Sequence, residues 1–240
     1  MWASPSNWRS HESESLMKVR YLGHSCVEII GKHHILIDPD FTREFEPDVE
    51  YILITHAHRD HIGRVNEVPD AYVLASQDVC EIVTEMGVAS HRVLPVLPGY
   101  KVANIKILPG FSRSNDPVYT FFYMLFRRQF PEPGGTPLSF LIKDEATLLH
   151  IGDAHEATLS VQPDILCLPW RTTPFRSEQY KNALVRMAEQ FSPPYILPIH
   201  YDLSHSQADP SEIKELLSAE VLDGFGWHRF FQNQLIKSNQ

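Results

Sequence analysis

The chain alternates short apolar runs with polar turns, a pattern typical of a protein built largely from short strands. The runs are rich in β-branched and aromatic residues and are bounded by turn-forming residues, which favours strands over helices. The predicted strands are MKVRYL (17–22), CVEII (26–30), HHILID (33–38), YILIT (51–55), AYVLAS (71–76), RVLPVL (92–97), GYKVANIKIL (99–108), VYTFFYMLF (118–126), LSFLI (138–142), ATLLHI (146–151), DILCLPW (164–170) and YILPIH (195–200).

Helical patterns are fewer. One helix is predicted over about 77–86, with Ser76 as its N-cap and Gly87 closing it. A second covers about 177–191, and 209–212 (Asp-Pro-Ser-Glu) has the residues of a helix start with a capping box. Strands dominate the first part and alternate with helices later. The pattern therefore predicts an α+β fold with two packed sheets and helices outside.

Residues 1–15 are polar and aperiodic, which predicts a flexible tail, and 16–240 are expected to form one domain. Hydrophobic residues make up 43% of the chain, enough to bury a core without disulfides. Cys26, Cys80 and Cys167 are odd in number and widely spaced, which favours reduced thiols and a cytoplasmic protein. No apolar stretch approaches membrane-spanning length, so no membrane span is expected.

The net charge of −9 disfavours binding to a nucleic-acid backbone, which requires clustered cations. It remains compatible with a small anionic substrate in a local pocket. The apolar run 118–126 predicts a buried strand, with an aromatic lip over a site or a homo-oligomer patch as alternatives.

The candidate chemistry is concentrated directly after the strand at 51–55. His56, His58, Asp60 and His61 follow it within six residues. In extended backbone His56 and His58 point the same way, and the other two come after the turn and can face a second position. Imidazole nitrogens and carboxylate oxygens suit zinc, manganese, iron or cobalt. The run therefore predicts a site for a divalent transition metal.

This T-H-A-H-R-D-H run resembles the H-x-H-x-D-H signature of the metallo-β-lactamase superfamily. The resemblance extends over about 17–205. Asp38 in L-I-D-P matches the aspartate that orients the histidine loop, Asp153 in H-I-G-D-A matches the aspartate that bridges two metals, and His200 in L-P-I-H-Y matches the last histidine. The segment Y-L-G-H-S at 21–25 is similar to the opening of a compact lactonase and phosphodiesterase-like branch.

The resemblance implies a four-layer αββα sandwich and one or two divalent ions, zinc first, with manganese or iron as alternatives. It implies a ligand set of His56, His58, Asp60, His61, Asp153 and His200. The resemblance also implies that Asp38 orients the histidine loop without being a metal ligand itself.

One family histidine has no counterpart. Its expected place, 107–117, contains no histidine. An oxygen ligand from this segment (Asp116, Asn115 or Ser112) could replace it, or His150 or His155 could turn in. Alternatively the first position, at His56 and His58, is weak and the protein is mononuclear at Asp60, His61, Asp153 and His200.

Three residues outside the ligand set are further candidates. His24 follows a glycine at a strand turn, and both an active-site role and a structural role remain open. His155 lies directly after the bridging aspartate and is a candidate for contact with ligands or substrate. Arg171 follows a strand, where side chains line pockets, and is a candidate to hold a phosphate or carboxylate; a surface arginine is the alternative.

The leading functional hypothesis is a metal-dependent hydrolase that uses a metal-activated water on a small ester, either a lactone or a phosphodiester. Asp60 and Asp153 are the candidates to move the proton, and His200 or His24 could support the leaving group. Two alternatives stay open: a degenerate, non-catalytic metal-binding protein of the same fold, and an iron-dependent enzyme of oxygen chemistry.

Overall fold

The computed structural model describes residues 16–111, 134–173 and 176–237. The predicted tail at 1–15, the predicted strand at 118–126 and the candidate ligand Asp116 lie outside the described residues. No helix among the described residues has the length and apolar character to cross a membrane.

Strands form most of the regular structure. In chain order they are β1 (Met17–Gly23), β2 (Cys26–Ile30), β3 (His34–Ile37), β4 (Tyr51–Leu53), β5 (Tyr72–Ala75), β6 (Val93–Pro95), β7 (Lys101–Val102), β8 (Ile105–Pro109), β9 (Leu138–Lys143), β10 (Thr147–His150), β11 (Ile165–Pro169), β12 (Tyr195–Ile199), β13 (Glu220–Val221), β14 (His228–Phe231) and β15 (Gln234–Leu235). The α-helices are α1 (Arg59–Ile62), α2 (Gln77–Glu85), α3 (Ser177–Phe191) and α4 (Glu212–Leu216), and short 3₁₀ turns cover Val65–Glu67 and Ser90–Arg92.

The strands form two mixed sheets. Within the described residues, the first sheet has the order β15-β14-β1-β2-β3-β4-β5-β6, and the second has the order β13-β12-β11-β10-β9-β8-β7. In the first sheet β3, β4, β5 and β6 run parallel, and in the second β10, β11, β12 and β13 do. Parallel strands place their carboxyl ends at one edge of each sheet, so residues that follow them gather there.

The sheets pack face to face over a common core. Ile29 and Leu53 of the first sheet and Phe140 and Cys167 of the second belong to the same core cluster, and all four are fully buried. The outer face of the first sheet packs against α2, and the outer face of the second packs against α3. Both helices are amphipathic and cover an apolar face with one stripe of side chains. The α+β prediction and the four-layer arrangement are confirmed.

Local details depart from the sequence prediction. The segment 99–108 forms a hairpin rather than one strand, because the chain reverses at Ala103, which has a positive φ of 50°. Ser76 is the N-cap residue of α2, but its hydroxyl donates to Asp78 instead of capping the helix backbone. At 209–212 the Asp209 carboxylate accepts the backbone N–H of Ser211, and α4 begins one residue later.

The strands β14 and β15 were not predicted. They form a hairpin that pairs with β1, with Met17 opposite Phe230. Residues 228–235 contain no β-branched side chain and carry His and Arg beside two Phe, so the local composition is a weak strand signal.

Candidate metal centre

The candidate ligands lie at the carboxyl ends of strands in both sheets. In the first sheet the histidine run follows β4 and Asp38 follows β3. In the second, Asp153 follows β10 and His200 follows β12. Because the two strand edges meet on one side of the sandwich, residues distant in sequence converge there.

One group of converging ligands contains Asp60, His61 and His200, whose ligand atoms lie within 4.8 Å of one another. The Nε2 atoms of His61 and His200 are 3.2 Å apart. The Asp153 Oδ1 atom lies 2.9 Å from His200 Nε2 and 3.3 Å from His61 Nε2. Both histidines are fully buried, whereas Asp60 is partly exposed.

A second group contains His56, His58 and Asp153, again within 4.8 Å of one another. His56 Nε2 lies 2.9 Å from His58 Nδ1 and 4.0 Å from Asp153 Oδ2. The Asp153 carboxylate therefore turns one oxygen toward each group, as a bridging carboxylate would. We call the His56–His58 side the first position and the Asp60–His61–His200 side the second position.

The second position has the properties of a cation site. Asp153 Oδ1 is buried between the Nε2 atoms of His61 and His200, and the buried His200 Nδ1 makes no hydrogen bond to any described residue and lies 3.9 Å from Asp60 Oδ2. Buried polar atoms are nearly always paired, so a buried nitrogen in a cluster of this kind needs a partner. Imidazole nitrogens and carboxylate oxygens are the donors that borderline divalent metals prefer. These residues therefore fit a divalent transition metal.

Asp38 and Thr55 hold the histidine loop from behind. Asp38 is fully buried and accepts both the backbone N–H and the hydroxyl of Thr55 at 2.7 Å, and it lies 2.8 Å from His61 Nδ1. A proton on His61 Nδ1 satisfies this contact and leaves Nε2 free to bind a metal. Orienting the loop, the role that the sequence resemblance implied for Asp38, fits this geometry.

Three residues of the centre have left-handed backbone conformations. The φ angles of His24, Asp38 and His200 are 51°, 49° and 64°. The left-handed conformation is unfavourable for residues other than glycine, and residues held in it concentrate at functional sites. Each one directly follows a strand, so the turn redirects its side chain toward the strand edge.

The electrostatics of the centre favour bound positive charge. Burial opposes ionisation of Asp153, but Arg171 and the nearby imidazoles lower its pKa well below the usual range. Burial also opposes protonation of His61, yet Asp38 and Asp153 raise its pKa well above the ordinary value. At the first position burial dominates and lowers the pKa of His56 well below its ordinary value. The carboxylates thus stay ionised, and they favour positive charge at His61.

His24 is part of a hydrogen-bonded pair beside the centre. Its Nδ1 lies 2.7 Å from Asp40 Oδ2, and this hydrogen bond raises the pKa of the imidazole. Its backbone is held on both sides: Asp202 accepts its N–H at 2.9 Å, and its carbonyl accepts the N–H of His200 at 2.5 Å. The pair is partly exposed, so His24 is fixed and still open to solvent.

Arg171 lies against Asp153 rather than free on the surface. Its Nη2 donates to Asp153 Oδ2 at 2.8 Å, and its side chain is 18% exposed. His155 packs edge-on against Phe111 and contacts the ring of Tyr180, beyond Arg171.

The structure does not place His150 or His155 among the converging ligands. His150 is fully buried; its Nδ1 accepts the N–H of Gly152 and its Nε2 lies 3.2 Å from the carbonyl of Ser25. Both nitrogens are thus used by the backbone. Neither histidine belongs to the two ligand groups found among the described residues.

Sequence reasoning missed Asp40 and Thr55. Asp40 lies two residues after Asp38 in D-P-D, and Thr55 directly precedes the histidine run. Both are short polar residues that follow a strand next to recognised site residues, which is the signal that could have found them. The pairing of Asp40 with His24 depends on a contact between separate strand ends and has no local signature.

Together, the two-sheet sandwich and the histidine–aspartate centre at its strand ends define a class of metal-binding fold. A family model described as "Beta-lactamase superfamily domain" matches residues 18–200. The chain belongs to the beta-lactamase superfamily, as the histidine signature predicted.

Several similar proteins come from archaea. UPF0173 metal-dependent hydrolase PH1671 of Pyrococcus horikoshii is 27% identical over 232 residues, covering 86% of this chain and 96% of the relative. UPF0173 metal-dependent hydrolase NEQ378 of Nanoarchaeum equitans is 32% identical over 143 residues, 57% of this chain and 60% of the relative. The structure of Igni18, a novel metallo hydrolase from Ignicoccus hospitalis, superposes with a TM-score of 0.67 at 19% identity, covering 90% of this chain and 99% of that chain. The prediction of a hydrolase is thereby confirmed at the level of class.

Proposed function

We propose that the centre hydrolyses a small ester-type substrate, either a lactone or a phosphodiester. The observation that carries the proposal is the position of Asp153 between two pairs of imidazoles, 2.9 Å from His200 on one side and 4.0 Å from His56 on the other. A carboxylate that faces two groups of imidazoles supports metal-assisted hydrolysis at the edge formed by the carboxyl ends of the strands.

The residues that would hold the ion are Asp60, His61 and His200, with Asp153 Oδ1 completing the set. All of the donors are nitrogen or oxygen, and the cysteines among the described residues are buried elsewhere in the core, so we expect zinc, with manganese or iron as alternatives. When bound, a divalent ion lowers the pKa of a water ligand to about 7 and polarises the bond to be cleaved.

The surrounding side chains divide the remaining work. Asp60 is the most exposed acid at the second position, with a side chain 30% exposed, and is placed to accept a proton from the attacking water. Arg171 offers a fixed positive charge to an anionic oxygen of the substrate. His24 binds Asp40 through Nδ1, so its Nε2 is the nitrogen that would donate a proton to the leaving group.

The proposal is tested by assaying zinc-loaded protein on a chromogenic phosphodiester, bis(4-nitrophenyl) phosphate, and on a chromogenic lactone. We expect turnover of one class. His24→Gln should keep its zinc and lose roughly 100-fold or more in kcat. The matched control is His33→Gln, because His33 forms a similar pair with Glu50 at 2.8 Å on the surface. That variant should keep full activity.

A second candidate is a non-catalytic metal-binding protein of the same fold. The observation that favours it is the composition of the first position, where the described residues supply two imidazoles and no third. Zinc-loaded protein that is folded and turns over neither substrate class would overturn the hydrolase proposal in favour of this candidate.

A further inference from the structure

Arg171 engages one half of the bridging carboxylate. Its Nη2 donates to Asp153 Oδ2 at 2.8 Å, and this is the oxygen that faces His56 at 4.0 Å. The other oxygen, Oδ1, faces His61 and His200. The guanidinium therefore occupies the first-position side of Asp153 and leaves the second-position side open.

The arginine is held in place by the backbone around it. The preceding residue, Trp170, donates its N–H to Ile199 at 2.8 Å, and the following residue, Thr172, donates its N–H to Ser206 at 3.0 Å. These bonds fix the chain on both sides of Arg171, one to the end of β12 and the other to the segment that follows His200. The guanidinium also lies over the ring of Tyr180, 6.0 Å from its centre. Its position is thus built into the fold.

A fixed guanidinium changes what the first position can hold. Arginine stays protonated at every physiological pH, so its charge cannot be removed to admit a cation. A divalent ion bound there would have to share Asp153 Oδ2 with this charge, and the described residues offer it only two further ligands, His56 and His58. At the second position three ligands gather beside Asp153 Oδ1, the oxygen opposite the one that Arg171 Nη2 binds.

We propose that Arg171 takes the place of the first ion. Its guanidinium supplies the positive charge at the first position, and the chain holds a single divalent ion at the second. This inference rests on the metal centre of the proposed function. It assigns a positioning role to Arg171: the residue holds Asp153 and presents its remaining N–H donors where a two-metal centre would present a cation to an anionic substrate.

The test is zinc stoichiometry, measured by elemental mass spectrometry after saturation with Zn²⁺ and desalting. We expect one zinc per wild-type chain, two per Arg171→Met chain, and one per Arg171→Lys chain, because lysine keeps the charge. If Arg171→Met does not fold, Arg171→Gln carries the same expectation, since its amide is neutral and still donates to Asp153. Two zincs in the wild type, or one in every neutral variant, would overturn the inference.

Arg20→Met is the matched control. Arg20 pairs with the buried Glu28 at 2.6 Å, and its side chain is 15% exposed, so this variant loses a similar ion pair far from the ligands. We expect it to keep one zinc, and a second zinc in this variant would count against a specific effect of Arg171.

Two ligand variants locate the single ion and separate the two proposals. His56→Ala should keep the zinc of the wild type, and His200→Ala should lose it. The reverse result would place the ion at the first position and overturn the inference alone. A wild-type chain that binds no zinc would overturn the proposed metal centre and this inference with it.

Discussion

His61 Nδ1 lies 2.8 Å from Asp38 Oδ2, and both side chains are fully buried. The same carboxylate accepts the Thr55 hydroxyl, so one aspartate fixes both the imidazole and the loop that carries it. With its Nδ1 proton engaged, His61 turns Nε2 toward Asp153 at 3.3 Å. The ligand is oriented before any metal arrives.

Asp38→Asn should weaken zinc binding by about 10- to 100-fold, because an amide cannot accept at both of its atoms and loses the charge that supports His61. The measurement is a competition titration of the variant against a chelator of known affinity. Asp144→Asn is the control: Asp144 accepts backbone N–H groups in a turn away from the centre. It should lose stability without losing zinc affinity. Equal zinc affinity in Asp38→Asn and wild type would contradict the orienting role.

Gly152 permits the close contact between Asp153 and the histidine loop. It has a φ of 58°, and a Cβ atom there would lie 2.8 Å from Thr55 Oγ1. We expect Gly152→Ala to lower the free energy of unfolding by roughly 2 to 4 kcal/mol and to weaken zinc binding, because the displaced Thr55 no longer holds the loop.

Gly224→Ala separates the cost of backbone strain from the effect of the contact with Thr55. Gly224 has a φ of 81° with open space around its Cβ position, so its substitution costs only the backbone strain, about 1 kcal/mol. Urea unfolding and zinc titration of both variants make the comparison. A zinc affinity that is unchanged in Gly152→Ala would show that the contact with Thr55 does not support the centre.

Buried His150 should make stability depend on pH. Burial lowers its pKa from 6.5 to about 4 in the folded protein. The unfolded chain therefore binds a proton near pH 6.5 that the folded chain resists, so stability is complete above that pH and declines as the pH falls toward 4. Between neutral pH and about pH 5 the loss amounts to about 2 kcal/mol. Urea unfolding of wild type and His150→Asn at both pH values measures it. The variant should show a smaller decline, and an equal decline would contradict the assignment.

Removing the metal should destabilise the protein. A ligand present at 100 times its Kd stabilises the folded state by about 2.7 kcal/mol, so chelation should lower the Tm of the loaded protein. His61→Ala and His200→Ala should each lose zinc and this stabilisation together, since metal binding is coupled to folding. Thermal unfolding with and without EDTA makes the measurement. The exposed His91→Ala is the control and should respond to EDTA as the wild type does; full metal content in both ligand variants would refute the site.

The sequence predicted most of the sandwich because its strands are compact, apolar and separated by turn residues. It also identified the run from His56 to His61, since ligands crowded into six residues leave a local signal. Contacts between separate strand ends left no local signal in the sequence. The pairing of Arg171 with Asp153 joins positions 18 apart that follow neighbouring strands, and that of His24 with Asp40 joins positions 16 apart. Such pairs depend on strand order and on side-chain direction at each strand end.

The order of these residues along the chain also determines when each one emerges during synthesis. His200 is translated 139 positions after His61, and β14, which completes the pairing of β1, comes later still. A nascent chain that has just exposed its histidine run carries Asp60 and His61 of the second position and still lacks Asp153 and His200. The second position can therefore be complete only after β12 and His200 have left the ribosome, and the edge of β1 stays unpaired until residues 228–231 emerge.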